Sequence, residues 1–265
     1  MSAADTTIRA REAGFLRDTA SIAGRALRAI PREPEMWGPA LVIPVFFLIV
    51  NVGALQSLAE DSISGLDFKA FQLPVAIVFA VTGISRAPSL VLDIQGGYFD
   101  RLTISPVRRL SLLLGLMVAD FALVTCLTLP VIVLGFAIGV RFATGLIGVL
   151  GFIFLAGLWG LAFAGFPYAI ALKTGNPAAV NSSFLLFFPF AFLTTAFLPK
   201  EALTGWLSTV ATYNPVTYLL AALRSLTIDG WEWSTIGGGL LAVLGVSIVA
   251  MSLALATLRG RLRPD

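Results

Sequence analysis

Long apolar blocks dominate this chain of 265 residues. Hydrophobic residues make up 57% of it and charged residues only 12%, whereas roughly a quarter of the residues in soluble domains are charged. A run of about 18 or more apolar residues with few charges is typical of a helix that spans the bilayer. The sequence therefore predicts an all-α integral membrane protein with six transmembrane helices, at 38–58, 71–92, 109–140, 144–172, 178–198 and 234–258.

The polar stretches between these blocks are short. None is long enough to build a hydrophobic core of its own, so we expect a single transmembrane domain over residues 38–258. Residues 1–37 are the expected cytoplasmic N-terminal segment, and residues 259–265 form a short basic cytoplasmic tail.

Residues 15–30 of the N-terminal segment have the periodicity of an amphipathic helix. At about 100° per residue, apolar side chains fall on one face and three arginines on the other. Such a helix lies in the membrane interface, and the prolines at positions 31 and 34 are expected to end it. The apolar face consists of Phe15, Thr19, Ile22, Ala26 and Ile30, and the basic face of Arg17, Arg25 and Arg28.

The basic residues predict which ends of the helices face the cytoplasm. Cytoplasmic loops carry an excess of Lys and Arg. With both termini inside, 14 of the 18 basic residues lie in inner segments. The remaining four are Lys69, Arg141, Lys200 and Arg224. We therefore expect a multi-pass protein with both termini in the cytoplasm.

Several absences restrict the chemistry of this chain. It contains no His, the side chain most often used as a general base and as a metal ligand. Its single cysteine, Cys126, excludes an internal disulfide. None of the three lysines follows a glycine, as the ATP-binding motif GxxxxGK requires. We expect no catalytic residues, no metal site and no ATPase site here.

The predicted inner loop from Asp93 to Leu110 is short, aromatic and mixed in charge. One interpretation is a cytoplasmic turn whose arginines keep it on the inner side. The other is a docking element for a cytoplasmic partner, since apolar anchors surrounded by charges are typical of small interfaces. The anchors would be Tyr98, Phe99 and Leu102, and the charges Asp100, Arg101, Arg108 and Arg109.

Residues 97–109 read Gly-Tyr-Phe-Asp-Arg-Leu-Thr-Ile-Ser-Pro-Val-Arg-Arg. This resembles a loop of the type 2 permeases of ATP-binding-cassette (ABC) exporters, which is commonly Gly-Thr-Leu-Glu-Arg-Leu followed by Pro and Arg. The resemblance implies that the loop transmits the motion of an ATPase to the membrane, although Tyr98 and Phe99 replace the usual small or aliphatic residues. The residues of this coupling loop are Gly97, Tyr98, Phe99, Asp100, Arg101, Leu102, Pro106, Arg108 and Arg109. Those at family positions are Asp100, Arg101, Leu102, Pro106 and Arg109.

The segment between the fifth and sixth blocks is too apolar for a free loop and too polar for a span. A re-entrant or interfacial pair of short helices fits it, because irregular backbone at membrane depth must be buried in protein or line water. Asn214-Pro215 is expected to separate the two helices. With Tyr218 and Arg224, this pattern resembles the outer element before the last span in the same family, especially its drug- and lipid-exporter branch. Two interpretations fit these residues, a capped turn with an aromatic belt residue and an outer gate, and the two are compatible.

Asp120 is an ionisable residue inside the third block. Such residues are functional candidates by default, so a proton or substrate site is one interpretation. A structural pairing, or a position near the inner interface, is the other. Arg86 and Asp93 form a second candidate ion pair near the inner end of the second span, of small energetic weight.

Phenylalanines crowd the fifth block. Flat aromatic surfaces suit the path of an apolar substrate, although most of these side chains are expected to face lipid or other helices. The candidate residues of the substrate path are Phe184, Phe187 and Phe188, together with Asp120.

The resemblance covers nearly the whole chain and implies a function. It implies the permease subunit of an ABC exporter in a bacterial cytoplasmic membrane, moving an amphipathic drug or lipid-like substrate outward. Its partners would be membrane lipids, two cytoplasmic ATPase subunits that bind the ATP and Mg, and a second permease chain, identical or related. No cofactor on this chain and no nucleic acid are implied. The alternatives are an ion-coupled secondary carrier, a lipid-modifying enzyme, and export of a lipid-linked glycan by the same ABC mechanism.

Overall fold

The computed structural model describes residues 14–98 and 109–261. Every regular element in these ranges is helical, as the apolar blocks predicted. Short 3-10 turns at Ile30–Arg32, Ser183–Leu186 and Lys200–Ala202 and a π-helical turn at Ser225–Asp229 join some of the helices. The helices are α1 (Phe15–Ala29), α2 (Pro34–Ser62), α3 (Phe68–Thr82), α4 (Ala87–Gln95), α5 (Arg109–Ala137), α6 (Gly145–Thr174), α7 (Pro177–Ser182), α8 (Phe187–Phe192), α9 (Gly205–Tyr213), α10 (Pro215–Arg224) and α11 (Trp233–Arg261).

Helix α1 is amphipathic, as predicted. Ile22 and Ala26 are buried on the face that packs along α5, whereas Arg17 and Arg28 are exposed. The two helices are in close contact, since a Cβ atom on Gly115 of α5 would lie 2.7 Å from the Cβ of Ile22. The N-terminal helix is therefore part of the packed molecule rather than a separate arm.

The connection from α1 to α2 follows the predicted proline signals. Helix α1 ends at Ala29, and a 3-10 turn containing Pro31 leads to α2, which begins at Pro34. Proline suits the first position of a helix because its missing N–H would have no helical acceptor there.

Five helical segments are long and apolar enough to cross a membrane in the described ranges. They correspond to the first, second, third, fourth and sixth predicted blocks. Of the apolar stretch in the second segment 72% is buried, against 17% in the first and 22% in the last. The second segment is therefore central, and α2 and α11 lie at the edges with apolar side chains facing outward. The segments are Trp37–Ser62, Phe68–Gln95, Leu110–Ala137, Gly145–Thr174 and Trp233–Arg261.

The fifth predicted block is not one continuous helix. Helix α7, a 3-10 turn and α8 contain 6, 4 and 6 residues, and 193–199 are not helical. At about 1.5 Å per residue these pieces reach roughly 25 Å, less than the ~30 Å of a hydrocarbon core. Where the helix ends, the carbonyl oxygens of Phe190 and Leu193 accept hydrogen bonds from the side chain of Asn214.

The second segment contains a break that the sequence analysis did not anticipate. Helix α3 ends at Thr82, residues 83–86 are not helical, and α4 begins at Ala87. The ring of Phe184 lies against Gly83, where a Cβ atom would stand 2.8 Å from Phe184 Cε2. Glycine thus allows the aromatic ring to pack directly on the broken backbone.

Helices α6 and α11 pack closely enough to exclude a side chain at their contact. A Cβ atom on Gly165 would lie 2.7 Å from the carbonyl carbon of Ala250. Small residues allow this approach of two backbones, which is how many membrane helices associate. The contact holds α11 to the core although most of α11 is exposed.

Candidate functional site

The predicted coupling loop lies mostly outside the described residues. Gly97 and Tyr98 are described, and Arg109 begins helix α5. Gly97 has a φ angle of 69°, a left-handed conformation that favours glycine. The role of the loop therefore stays a prediction. The loop residues outside the described ranges are Phe99, Asp100, Arg101, Leu102, Pro106 and Arg108.

Directly before this loop, an ion pair joins α1 to α4. Nη2 of Arg25 donates to Oδ2 of Asp93 across 2.5 Å. The Arg25 guanidinium also lies 4.4 Å from the centre of the Tyr98 ring, within the range of a cation–π contact. The hydrogen bond to Asp93 raises the pKa of Arg25 above its usual value.

The expected pair between Arg86 and Asp93 is wrong. Arg86 instead donates from Nη1 to Oε2 of Glu33 at 2.9 Å. Arg86 is the residue before the first turn of α4, and its side chain reaches the start of α2, while Asp93 lies two turns further along.

A cavity of about 130 Å³ lies between α1 and α4. Both ion pairs contribute to its wall, so charged groups face this space beside α4. Its lining includes Arg25, Glu33, Arg86, Ser89, Asp93 and Leu116.

The ends of α4, α6 and α11 are joined by side chains that reach across to backbone carbonyls. Nε2 of Gln95 donates to the carbonyl of Gly175 at 2.9 Å. Arg261 donates from Nη1 to the carbonyl of Leu172 at 2.9 Å. These carbonyls belong to the C-terminal end of α6, where helical acceptors have no N–H partner of their own. The loop therefore begins on a surface that three helices share.

Asp120 is buried and accepts two hydrogen bonds. The backbone N–H of Arg86 donates to Oδ1 at 2.7 Å, and the hydroxyl of Tyr168 donates to Oδ2 at 2.6 Å. Both partners escaped the sequence analysis. The only signal for them was the general rule that an intramembrane carboxylate needs a partner.

The pair of short helices predicted after the fifth block is present as α9 and α10, and it is divided at Asn214-Pro215 as predicted. We keep the name outer pair for these two helices, whose outer position stays a prediction. Asn214 Oδ1 accepts the N–H of Val216 at 3.0 Å and so caps α10. Its Nδ2 donates to the carbonyls of Phe190 at 2.7 Å and Leu193 at 2.8 Å. One side chain thus serves the start of α10 and the end of α8.

Tyr218 and Arg224 hold other parts of the outer pair. The hydroxyl of Tyr218 donates to the carbonyl of Thr212 at 2.8 Å, which folds α9 towards α10. Arg224 is buried; Nε donates to the carbonyl of Phe71 at 3.2 Å and Nη1 to the hydroxyl of Thr195 at 3.1 Å. Its guanidinium lies 3.5 Å from the centre of the Phe71 ring. Arg224 therefore links α10 to α3 and to the segment after α8.

The phenylalanines of the proposed substrate path differ in exposure. Phe187 is fully buried, with its ring centre 5.5 Å from those of Phe79 and Phe163. Phe188 is 36% exposed, and Phe184 is partly buried. In this conformation Phe187 is therefore part of the packed core. The accessible surface of the three phenylalanines belongs to Phe184 and Phe188. Their role in a substrate path stays a prediction.

Metal binding finds no structural support in the part of the chain that the structure describes, since no group of three or more His, Cys, Asp or Glu residues is placed to hold a metal ion there.

Comparison with known proteins identifies the family of this fold. The family described as ABC-2 type transporter matches residues 18–228. A probable doxorubicin resistance ABC transporter permease protein, DrrC of Mycobacterium tuberculosis, is 28% identical over 79% of this chain and 76% of its own length. The daunorubicin resistance ABC transporter permease protein DrrB1 of Streptomyces coeruleorubidus is 25% identical, covering 83% and 80%. The putative transport permease ycf38 of Cyanophora paradoxa is also 25% identical, covering 83% and 78%. With the match extending from α1 to the end of the outer helical pair, this chain belongs to the ABC-2 type transporter family, as the resemblance of its loop and outer segment had implied.

Proposed function

We propose that this chain is the membrane subunit of an ATP-driven exporter and that it moves an amphipathic drug or lipid-like compound out of the cell. The observation that carries the proposal is the family match over residues 18–228, together with relatives named as doxorubicin and daunorubicin resistance permeases. The energy comes from two copies of a separate cytoplasmic ATPase, which bind ATP and Mg. A second permease chain, identical or related, completes the transporter.

The inner surface of the structure suits the binding of such an ATPase. The ion pair of Arg25 and Asp93 and the bond from Gln95 to Gly175 tie three helices together where the loop begins. A push on the loop therefore reaches α1 through Arg25 and α6 through Gln95. This supports the coupling role proposed for residues 97–109.

We infer six crossings of the cytoplasmic membrane, with both termini in the cytoplasm. Five are the long segments, and the sixth is the broken run from Pro177 through residue 198. The outer pair is re-entrant in this proposal. Val216 and Leu220 lie beside Val75 and Val78, well inside α3, whereas Arg224 reaches Phe71 near the start of that helix. Helix α10 thus returns from depth towards the outer surface.

An ion-coupled carrier is the second candidate function. It is favoured by one observation, the break at residues 83–86 with the buried carboxylate of Asp120 bonded to it. Interrupted helices and intramembrane charges are typical of secondary transporters. The family match and the names of the relatives favour the exporter. Export of a lipid-linked glycan would use the same ATP-driven mechanism.

The deciding experiment is transport by the purified chain with its co-encoded ATPase in proteoliposomes. We expect ATP-dependent movement of doxorubicin, and drug-stimulated ATP hydrolysis that the double change Asp100→Ala/Arg101→Ala abolishes. The matched control is Lys200→Ala/Glu201→Ala, which removes one exposed positive and one exposed negative charge in the segment after α8. Transport that needs no ATPase and follows an imposed ion gradient would instead establish the carrier. If both double variants lost drug-stimulated ATP hydrolysis equally, the loop would have no specific role in coupling.

A further inference from the structure

The break in the second segment leaves backbone groups that need partners. The first N–H groups of a helix have no acceptor within it, and in a membrane an unpaired N–H group is strongly unfavourable. Helix α4 begins at such a point, and its own sequence offers only a long contact of 3.4 Å from the N–H of Ala87 to the hydroxyl of Ser85.

Asp120 supplies the missing acceptor from another helix. Its Oδ1 accepts the N–H of Arg86 at 2.7 Å, so a side chain of α5 caps α4. Its Oδ2 is held by the hydroxyl of Tyr168, which belongs to α6. One carboxylate therefore connects the start of α4 to the two longest neighbouring helices.

Helix α4 has space on one side and a tether at its far end. The cavity of about 130 Å³ lies between part of it and α1. At its far end, Asp93 is bonded to Arg25 and Gln95 to the carbonyl of Gly175. A nine-residue helix with a break at one end, two bonds at the other and a cavity beside it has room to turn as a unit.

We propose that α4 is a lever that pivots at the break, and that Asp120 is the positioning residue that transmits its movement to α5 and α6. The source of the movement rests on the proposed function, since the ATPase would push on the loop at the far end of α4. The hydrogen bond from Arg86 ties the start of α4 to the carboxylate of Asp120, so a turn of α4 displaces that carboxylate. The hydroxyl of Tyr168 carries the displacement of the carboxylate to α6.

The pivot is tested first on the chain alone in nanodiscs, by hydrogen exchange of peptides that cover residues 83–95. Asp120→Ala removes the cap, and we expect exchange at the start of α4 to rise about tenfold, the change that loss of a helix cap typically brings. Asp120→Asn keeps an acceptor for the N–H of Arg86 and should restore slow exchange. Thr128→Val is the matched control, because Thr128 is an equally buried polar residue of α5 that bonds only within its own helix.

The transmission is tested in the complex, as molecules transported per ATP hydrolysed. We expect Asp120→Ala to lower this ratio several-fold while hydrolysis continues. Tyr168→Phe should lower it as well, yet leave the exchange of α4 unchanged, because the cap remains. If Asp120 and Tyr168 had only a structural role, the transport ratio and the exchange of α4 would change together. Should Asp120→Ala fail to fold, Tyr168→Phe and Asp120→Asn still allow the test.

The lever is refuted if Asp120→Ala leaves exchange at the start of α4 unchanged, or if the transport ratio of both Asp120→Ala and Tyr168→Phe equals that of the unaltered chain. Failure of the proposed function has a different signature. No ATPase would bind the chain at all, whereas the exchange measurement would still report whether Asp120 caps α4.

Discussion

The guanidinium of Arg25 and the carboxylate of Asp93 are bonded across 2.5 Å although 68 positions separate them in the chain. Arg25 lies on α1, and Asp93 lies in the last turn of α4. Their side chains are 43% and 22% exposed, so water weakens the attraction between them. The pair therefore contributes modestly to stability, and its significance is that it orients α1 towards the end of α4.

Reversal of this pair tests that orientation. We expect Arg25→Glu to lower the drug stimulation of ATP hydrolysis two- to five-fold, at a cost of ~0.2–1 kcal/mol in stability. Asp93→Arg in the same chain should recover most of the stimulation, because the swapped charges attract again. Arg28→Glu makes the same charge change on the exposed face of α1 and should have little effect. Equal defects in Arg25→Glu and Arg28→Glu would show that net charge, not the pair, matters.

The contact between α6 and α11 predicts a strong effect of one methyl group. Gly165→Ala should destabilise the protein by about 1–3 kcal/mol, the usual cost of overpacking, because its Cβ would meet the backbone of Ala250. Gly245→Ala lies in open space on α11 and should be neutral or slightly stabilising, since alanine favours helix more than glycine does. For both variants, the midpoint temperature at which the monodisperse peak is lost on heating in detergent measures stability. A similar midpoint for the two variants would contradict the close packing.

Because the guanidinium of Arg224 is buried and bonded to α3, we expect it to keep α10 packed against that helix. Arg224→Gln removes the charge and shortens the side chain, so its bonds to Phe71 and Thr195 are lost. In a Cys126→Ser background, Leu220→Cys should then react roughly tenfold faster with a membrane-impermeant maleimide, because removal of a buried hydrogen-bond partner costs about 1–3 kcal/mol. Arg141→Gln is the control, as Arg141 is exposed. Unchanged labelling would mean that other contacts hold α10 in place.

The six proposed crossings predict a pattern of labelling in intact cells. In the Cys126→Ser background, cysteines at Ser64 and Glu201 should react with an impermeant maleimide from outside. Cysteines at Arg17 and Lys173 should react only after lysis. All four positions are exposed, so access to the side chain is not limiting. If Lys173→Cys and Glu201→Cys reacted from the same side, the broken fifth segment would not cross the membrane.

Periodicity and local turn signals account for much of this fold. The alternation of apolar and basic residues at a helical spacing predicted which face of α1 is buried, since Ile22 lies inside and Arg17 outside. Proline acts through its own backbone, so the end of α1 and the division at Pro215 were visible locally. The length of the apolar blocks located five of the long segments.

The remaining features depend on residues far apart in the chain. Asp120 bonds Arg86 and Tyr168, which are 34 and 48 positions away, and no spacing in the sequence announces such partners. The carboxylate of Asp120 bonds the break at residues 83–86 from α5, although Gly83 at the end of α3 and Pro88 in the first turn of α4 are local signals for that break. The pairing of Arg86 with Glu33, 53 positions away, in place of Asp93 depends on the tertiary fold.

The side chain of Asn214 makes two interruptions of the chain depend on each other. Its carbonyl oxygen caps α10, and its amide nitrogen binds the carbonyls released where α8 ends. If the fifth segment straightened into a regular helix, the buried amide of Asn214 would lose its acceptors. If α10 moved away from α8, those carbonyls would lose their donor. A movement of the broken segment is thus expected to carry the start of α10 with it, and a movement of α10 to carry the end of α8.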